Sequence, residues 1–210
     1  MGTVLVLLLG WLLGLLSPAI VDAIRGAREA TRGRKAIRLE LAELSRVLVF
    51  AAFLAQKAAG RIDRSFLEWL CRHLEQDTSC EAQSLLTAVR AGMGATDEEI
   101  AIGAEQMATP AGSVTALQHY SAPMLDSRVS ALWSFDTDYQ RKLLAIHKNL
   151  ALLAAIVDQS REFWRLTFNE LSSETYDRVS GNLRQCYANY AERAQIAVDA
   201  IAALPPEGGA

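Results

Sequence analysis

The 210-residue sequence lacks the common signatures of catalysis. It contains no glycine-rich phosphate loop, no H-E-x-x-H zinc motif and no nucleophile elbow. With only three histidines, it also has few side chains suited to act as a general base near neutral pH. The sequence therefore favours a non-enzymatic role, and it predicts no cofactor.

Cysteine is scarce as well, with only Cys71, Cys80 and Cys186 in the chain. An odd number of cysteines without a paired framework argues against a disulfide scaffold and fits a reducing compartment. Cys71 and His73 are two residues apart on a predicted helix, so their side chains point in different directions. Because no further ligand is spaced nearby, no metal site is predicted.

Strand patterns are missing too. No segment alternates apolar and polar residues over a sustained length, and no Asn-Gly pair marks a hairpin turn. The five prolines lie outside the long periodic segments, which are rich in Ala, Leu, Glu, Arg and Gln. These features predict an all-α protein.

Charge is absent from the first part of the chain. The 19 residues from Thr3 to Val21 carry no Asp, Glu, Lys or Arg, and as a helix they rise roughly 28 Å, close to the ~30 Å of a bilayer hydrocarbon core. The sequence thus predicts that residues 1–24 form a single transmembrane anchor. A cleaved secretory signal ending near Val21-Asp22-Ala23 is one alternative, although the residues before the run carry no Lys or Arg. A buried helix of a soluble protein is the other.

Basic residues follow the apolar run and form a collar over residues 25–38. Glu29 is the one acidic residue among six cations. By the positive-inside rule this basic collar stays on the cytoplasmic side, and the short N-terminus crosses the membrane. The collar also suits anionic lipid head groups. Its cations are Arg25, Arg28, Arg32, Arg34, Lys35 and Arg38.

Gly10 and Gly14 form a G-x-x-x-G pair on one face of the predicted anchor. This spacing lets two spanning helices approach closely and so predicts a homo-oligomer, although glycine is also common in spanning helices by chance.

The formal net charge is −3, so the chain beyond the basic collar is acidic, which argues against a broad nucleic-acid surface. The expected partners are membrane lipids, further copies of the chain and a docked protein.

Helical periodicity dominates residues 39–204, which we expect to form a cytoplasmic antiparallel bundle followed by a disordered tail at 205–210. Two long helices are predicted, one from about Thr137 to Phe168 and one from about Tyr176 to Leu204, and the short turn between them makes them antiparallel. A third, over residues 34–60, carries a stripe with alternating steps of four and three. The stripe consists of Ile37, Leu41, Leu44, Leu48, Ala51, Ala55 and Ala58.

Shorter helices are expected between the long ones. Asp63 is a candidate N-cap, and Thr96 and Thr137 each begin a capping-box pattern. Residues 109–135 show no clear pattern. After Asp63 the apolar side chains available for burial are Phe66, Leu67, Trp69, Leu70 and Leu74. The aromatic side chains expected in the core rather than in a ligand pocket are Trp69, Trp133, Trp164, Tyr176, Tyr187 and Tyr190.

Arg141 and His147, with five residues between them, match the pattern R-x(4-6)-H. In this respect the chain resembles the HEPN ribonucleases, which are also α-helical bundles. The resemblance implies that the arginine and the histidine act on an RNA phosphodiester, usually across a dimer. Lys142 stands where members of that family often have Asn, Asp or His. The alternative interpretation is a solvated helix face.

The whole layout is similar to that of bacterial single-pass inner-membrane proteins with a cytoplasmic helical bundle. It is also similar to membrane-anchored accessory proteins of RNA-targeting CRISPR systems, whose HEPN-like bundles assemble into membrane oligomers. Three hypotheses follow. The first is a membrane-anchored protein that self-associates or docks a partner, with an effect on membrane permeability. The second is a membrane-tethered ribonuclease using Arg141 and His147, and the third is a ligand-sensing membrane signalling protein.

Overall fold

The computed structural model describes residues 2–110, 113, 115–129, 132, 135–168 and 172–205, and within the first helix the side chains of residues 21, 25, 26 and 28 onward. Over these residues the chain forms seven helices and no strand, which confirms the all-α prediction. The helices are α1 (Gly2–Ala59), α2 (Arg64–Leu74), α3 (Cys80–Met93), α4 (Asp97–Met107), α5 (Pro123–Arg128), α6 (Thr137–Leu166) and α7 (Ser173–Ala202).

Helix α7 is the central element of the bundle, because it packs along both α1 and α6. Near the start of α6, Lys142 Nζ donates to the carbonyl of Ala203, just past the end of α7. On α1, the guanidinium of Arg38 donates to the carbonyl of Pro205. Helix α7 therefore runs antiparallel to α6, and the predicted antiparallel helical bundle is confirmed for these long helices.

Helix α1 is much longer than its neighbours. Its 58 residues rise about 87 Å, whereas the 30 residues of α6 and of α7 rise about 45 Å. Its buried residues include every predicted stripe position except Ala51, in whose place Ala52 is fully buried, and Val49 and Ala59 are buried beside the stripe. A strict seven-residue repeat drifts against the 3.6-residue turn, so the contact face moves by one residue along the helix. The buried stripe is Ile37, Leu41, Leu44, Leu48, Ala52, Ala55 and Ala58.

The predicted caps of two short helices are confirmed. Asp63 accepts from the backbone N–H of Phe66 at 2.8 Å, and all five predicted apolar side chains of α2 are buried. At the start of α4, Thr96 and Glu99 form the reciprocal capping box, since each side chain accepts from the backbone N–H of the other. Gly60 ends α1 with a φ of 69°, which only glycine adopts without strain.

The predicted capping box at Thr137 is wrong by one residue. The N-cap of α6 is Asp136, whose carboxylate accepts from the backbone N–H of Tyr139 at 2.9 Å. The side chain of Gln140 reaches past the cap to the carbonyl of Phe135. An ion pair with Arg34 of α1 fixes Asp136 in place, and together with the N–H of Tyr139 it holds the pKa of this carboxyl below its usual value.

The irregular segment between α4 and α6 is held by side chains that are distant in sequence. Glu40 of α1 accepts from the backbone N–H groups of Met124 and Leu125, so a carboxylate from another helix caps the start of α5. On α7, the hydroxyl of Tyr187 accepts from the N–H of Thr115, and that of Tyr190 donates to the carbonyl of Gln118. The long helices thus order a segment whose own sequence predicts little.

The two buried tyrosines Tyr190 and Tyr139 give a matched test of this packing. Exchanging Tyr190 for Phe is expected to lower the free energy of unfolding by about 1–2 kcal/mol, because its buried hydroxyl donates to Gln118 at 3.1 Å. The same exchange at Tyr139 is expected to raise it by up to about 1 kcal/mol, because that hydroxyl is buried and finds no partner among the described residues. Urea unfolding measures both, and equal shifts would contradict this assignment.

Across the residues whose side chains are described, no helical stretch combines the length and the apolar character needed to cross a membrane. The predicted anchor from Thr3 to Ile24 lies within α1, but apart from Val21 its side chains are outside that description.

Candidate functional site

The basic collar divides into two groups on α1. Arg25, Arg28, Arg32 and Lys35 are exposed, and their spacing of three, four and three residues places them on one helix face. Their charges therefore face solvent as one continuous strip along roughly 15 Å of helix. A strip of this kind can bind several anionic groups at once.

The other two cations of the collar belong to the bundle. Arg34 forms an ion pair of 2.9 Å with Asp136 and stacks over the ring of Tyr139 at 4.6 Å. Arg38 donates to the carbonyl of Pro205, after the end of α7. The prediction that all six cations face lipid head groups thus overlooked a structural role for these two. The partners that give them this role lie far along the chain, 102 residues after Arg34 for Asp136 and 167 residues after Arg38 for Pro205.

Gly10 and Gly14 lie in α1, one helical turn apart, but outside the described side chains. Their predicted contact with a second copy therefore stays a prediction.

Arg141 and His147 both lie on α6, where six residues of helix separate them by about 9 Å along its axis. Arg141 pairs with Asp138, one turn earlier, at 3.2 Å. His147 lies 3.3 Å from the carboxylate of Asp126 in α5. Arg141 is exposed, His147 is half-exposed, and each faces a different carboxylate, which is the arrangement of a solvated helix face. The structure does not bring Arg141 and His147 together within one chain. The ribonuclease hypothesis therefore stays a prediction without support from this geometry.

Cys71, His73 and Cys80 are the candidate metal ligands in the sequence. His73 Nε2 lies 3.1 Å from Asp199, which also accepts from Trp69 Nε1 at 2.9 Å. Cys71 is half-buried and Cys80 exposed, and both are free thiols. Throughout the described part of the chain, no group of three or more His, Cys, Asp or Glu side chains is placed to hold a metal ion.

The largest described cavity is a polar cleft of about 360 Å³ between α1, the end of α2 and the end of α7. Arg46 and Asp77 face each other across it with two hydrogen bonds of 3.0 and 3.1 Å. These bonds, with the N–H of Ser79, hold the pKa of Asp77 below its usual value. His73 and Arg38, which also line the cleft, are bonded to Asp199 and Pro205. The charged groups of the cleft thus serve to join three helices.

Apolar side chains remain exposed at the end of α6. Trp164, predicted as a core residue, is 42% exposed, and Phe168 is 72% exposed. The buried stripe of α6 ends at Ser160, and Phe163 in the following turn packs against the core only in part. The predicted core positions of Trp69, Tyr187 and Tyr190 are confirmed, and Trp133 lies outside the described residues.

A second apolar feature is a groove of about 280 Å³ between α3 and α4. Its walls come from Val89 and Ile100, and its floor from Phe53 of α1 and Leu67 of α2. Sequence reasoning missed it, because a groove depends on the distance between two helices and not on the pattern of either.

Comparison with known proteins gives no match to this chain among protein-family models, curated proteins or solved structures. The function is therefore argued from the surfaces described above.

Proposed function

We propose that this protein is a membrane-anchored helical bundle that acts by self-association or partner docking at the bacterial inner membrane. The anchor is the uncharged run from Thr3 to Val21, with its N-terminus outside and the bundle in the cytoplasm. In this proposal the protein is not an enzyme. An effect on membrane permeability is the first cellular consequence to measure, for example by dye entry into cells that express the chain.

The observation that carries the proposal is the continuity of α1. One unbroken helix includes the uncharged run, the exposed strip of Arg25, Arg28, Arg32 and Lys35, and the buried stripe that begins at Ile37. A helix of this length couples the run to the bundle without a flexible linker. The exposed cations directly follow the uncharged residues, where the head groups of a bilayer would lie.

Support for self-association comes from the apolar surface that the bundle leaves exposed. Leu39 and Leu54 of α1 are 64% and 53% exposed, and further apolar side chains are exposed on α4 and at the end of α6. Single exposed apolar residues are common, but a groove and a projecting apolar end on the same chain favour contact with another protein surface.

The topology can be tested by thiol labelling on the two sides of the membrane. Cys80 is exposed on the bundle, and a Gly2→Cys exchange places a second thiol before the run. A membrane-impermeant maleimide is expected to label this introduced thiol in intact spheroplasts, and Cys80 only after lysis. Labelling of Cys80 in intact spheroplasts, or release of the protein from membranes by alkaline carbonate, would refute the proposed placement.

Exchanging both Gly10 and Gly14 for Leu is expected to leave membrane insertion intact and to weaken self-association at least tenfold. Leucine is more apolar than glycine but prevents the close approach of two helices. The matched control is Gly26→Leu in the same helix, where an added Cβ meets no atom within 4 Å. Single-molecule photobleaching in lipid nanodiscs counts the copies. An unchanged oligomer in the double variant would mean that the run serves only as an anchor.

A further inference from the structure

We propose that the exposed apolar end of α6 in one copy of this chain docks into the α3/α4 groove of a second copy. The end of α6, here called the α6 tip, consists of Trp164, Leu166 and Phe168. This inference rests on the proposed self-association and assigns it a second contact, in the bundle rather than in the anchor.

The groove can accept apolar side chains at little cost. Of its twelve lining residues only Glu99 carries a charge, and that carboxylate is already bound in the capping box of α4. Gly103 lines the groove, and an added Cβ there would meet nothing within 4 Å. A volume of about 280 Å³ lies at the lower end of small-molecule pockets, so it suits a cluster of side chains.

The α6 tip supplies such a cluster. The rings of Trp164 and Phe168 pack edge to face with centroids 5.3 Å apart, so the two aromatics present one connected surface. Leu166, two residues from each of them along the chain, is 41% exposed. Burying an aromatic side chain removes roughly 150–250 Å² from water, which makes this tip the strongest apolar candidate to enter a groove.

The charges around the two features are complementary. Of the four acidic residues of α4, Asp97 and Glu105 pair with Arg64 and Arg184 and Glu99 belongs to the capping box, so Glu98 is the exposed carboxylate that remains near the start of the groove. In the last turns of α6, Arg161 lies 3.6 Å from Asp158, and Arg165 pairs with Glu162. The pair between Arg165 and Glu162, at 2.9 Å, is exposed on both sides and therefore weak. Arg165 can exchange that partner for Glu98 of another copy at little cost.

The α6 tip and the α3/α4 groove lie at the same end of the bundle. Thr167 lines a cleft together with Thr109 and Pro110, which directly follow α4. Thr109 in turn bonds to the carbonyl of Ala58 at the end of α1, far from the uncharged run. Copies anchored in one orientation would thus present tip and groove at the same height above the membrane. Because tip and groove are different surfaces, the contact is head-to-tail.

A contact of this size is weak in solution. Two aromatic side chains bury roughly 300–500 Å², which is less than the ~800 Å² per partner of a standard interface. The anchor compensates for this by holding the copies in one plane, which raises their effective concentration.

The test uses the full chain in detergent or nanodiscs. The tip variant is Trp164→Ala with Phe168→Ala, and the groove variant is Gly103→Leu, which fills the open part of the groove. Each is expected to raise the concentration needed for self-association at least tenfold. The matched controls are Leu144→Ala with Leu152→Ala, exposed on the same helix, and Gly26→Leu. Both controls are expected to behave as the original chain.

Mixing the two variants gives the sharper result. The tip variant keeps its groove and the groove variant keeps its tip, so the mixture is expected to form heterodimers that grow no further. Charge exchange provides a second route that leaves the apolar surfaces intact. Arg165→Glu and Glu98→Arg are each expected to weaken self-association, and a mixture of these two chains is expected to restore it.

The outcomes separate this inference from the proposed function. Self-association that is unchanged in the tip, groove and charge variants would overturn the tip-in-groove contact alone. A chain that is monomeric at every concentration tested would overturn self-association altogether. Membrane insertion, measured by carbonate extraction on the same samples, reports on the anchor independently of either result.

Discussion

Exchanging Leu48 for Ala is expected to lower the free energy of unfolding of the bundle by about 3 kcal/mol. Leu48 is 0% exposed in the middle of the buried stripe of α1, where that helix packs along α7. Truncating a fully buried leucine removes its transfer free energy and leaves a cavity that close-packed neighbours fill only in part, at a cost of about 2–5 kcal/mol. Urea unfolding in mild detergent, followed by tryptophan fluorescence, measures the change.

The control for this prediction lies six residues further on the same helix. Leu54 is 53% exposed, and exchanging it for Ala is expected to change the free energy of unfolding by less than about 0.5 kcal/mol. Equal losses in the two variants would show that α1 does not pack on the bundle through the stripe from Ile37 to Ala58.

Exchanging both Leu9 and Leu13 for Arg is expected to release the protein from the membrane. Each arginine near the centre of the uncharged run adds about 2.5–3.5 kcal/mol to the free energy of insertion, so the pair costs roughly 5–7 kcal/mol. A helix whose insertion into the bilayer is only marginally favourable does not stay inserted at a cost of this size. Alkaline carbonate extraction followed by immunoblotting is expected to find the variant in the supernatant and the original chain in the pellet.

Leu39→Arg is the matched control for this loss. It introduces the same residue into the same helix, at a position that is 64% exposed on the bundle. Its fractionation is expected to equal that of the original chain. A Leu9→Arg/Leu13→Arg protein that stays in the pellet while remaining folded would argue against insertion of the run.

Local patterns in the sequence were enough to predict most helices and their ends. The caps at Asp63 and Thr96 act on N–H groups only three residues away, and the stop at Gly60 needs only the backbone freedom of that residue. The buried side of α2 was predicted residue by residue, because an amphipathic helix has only one apolar face to bury.

Two of the errors concern parts of the chain that are distant in sequence. Asp136, not Thr137, caps α6, in part because Arg34 of α1 pairs with it from 102 residues away. Trp164 continues the apolar spacing of α6 but lies past Ser160, the last buried residue of that helix. A periodic pattern indicates which residues can be buried. The lengths and positions of the packing helices decide which of them are buried.

The basic collar and the long helix that contains it show both contributions. The sequence by itself determined that an uncharged run, six cations and an apolar stripe follow one another, because these are properties of composition and spacing. The tertiary structure decided that Arg34 and Arg38 bind within the bundle while Arg25, Arg28, Arg32 and Lys35 stay exposed. It also decided that α3 and α4 leave a groove and that the side chains of the α6 tip stay exposed, because such surfaces arise only when the helices are placed relative to one another.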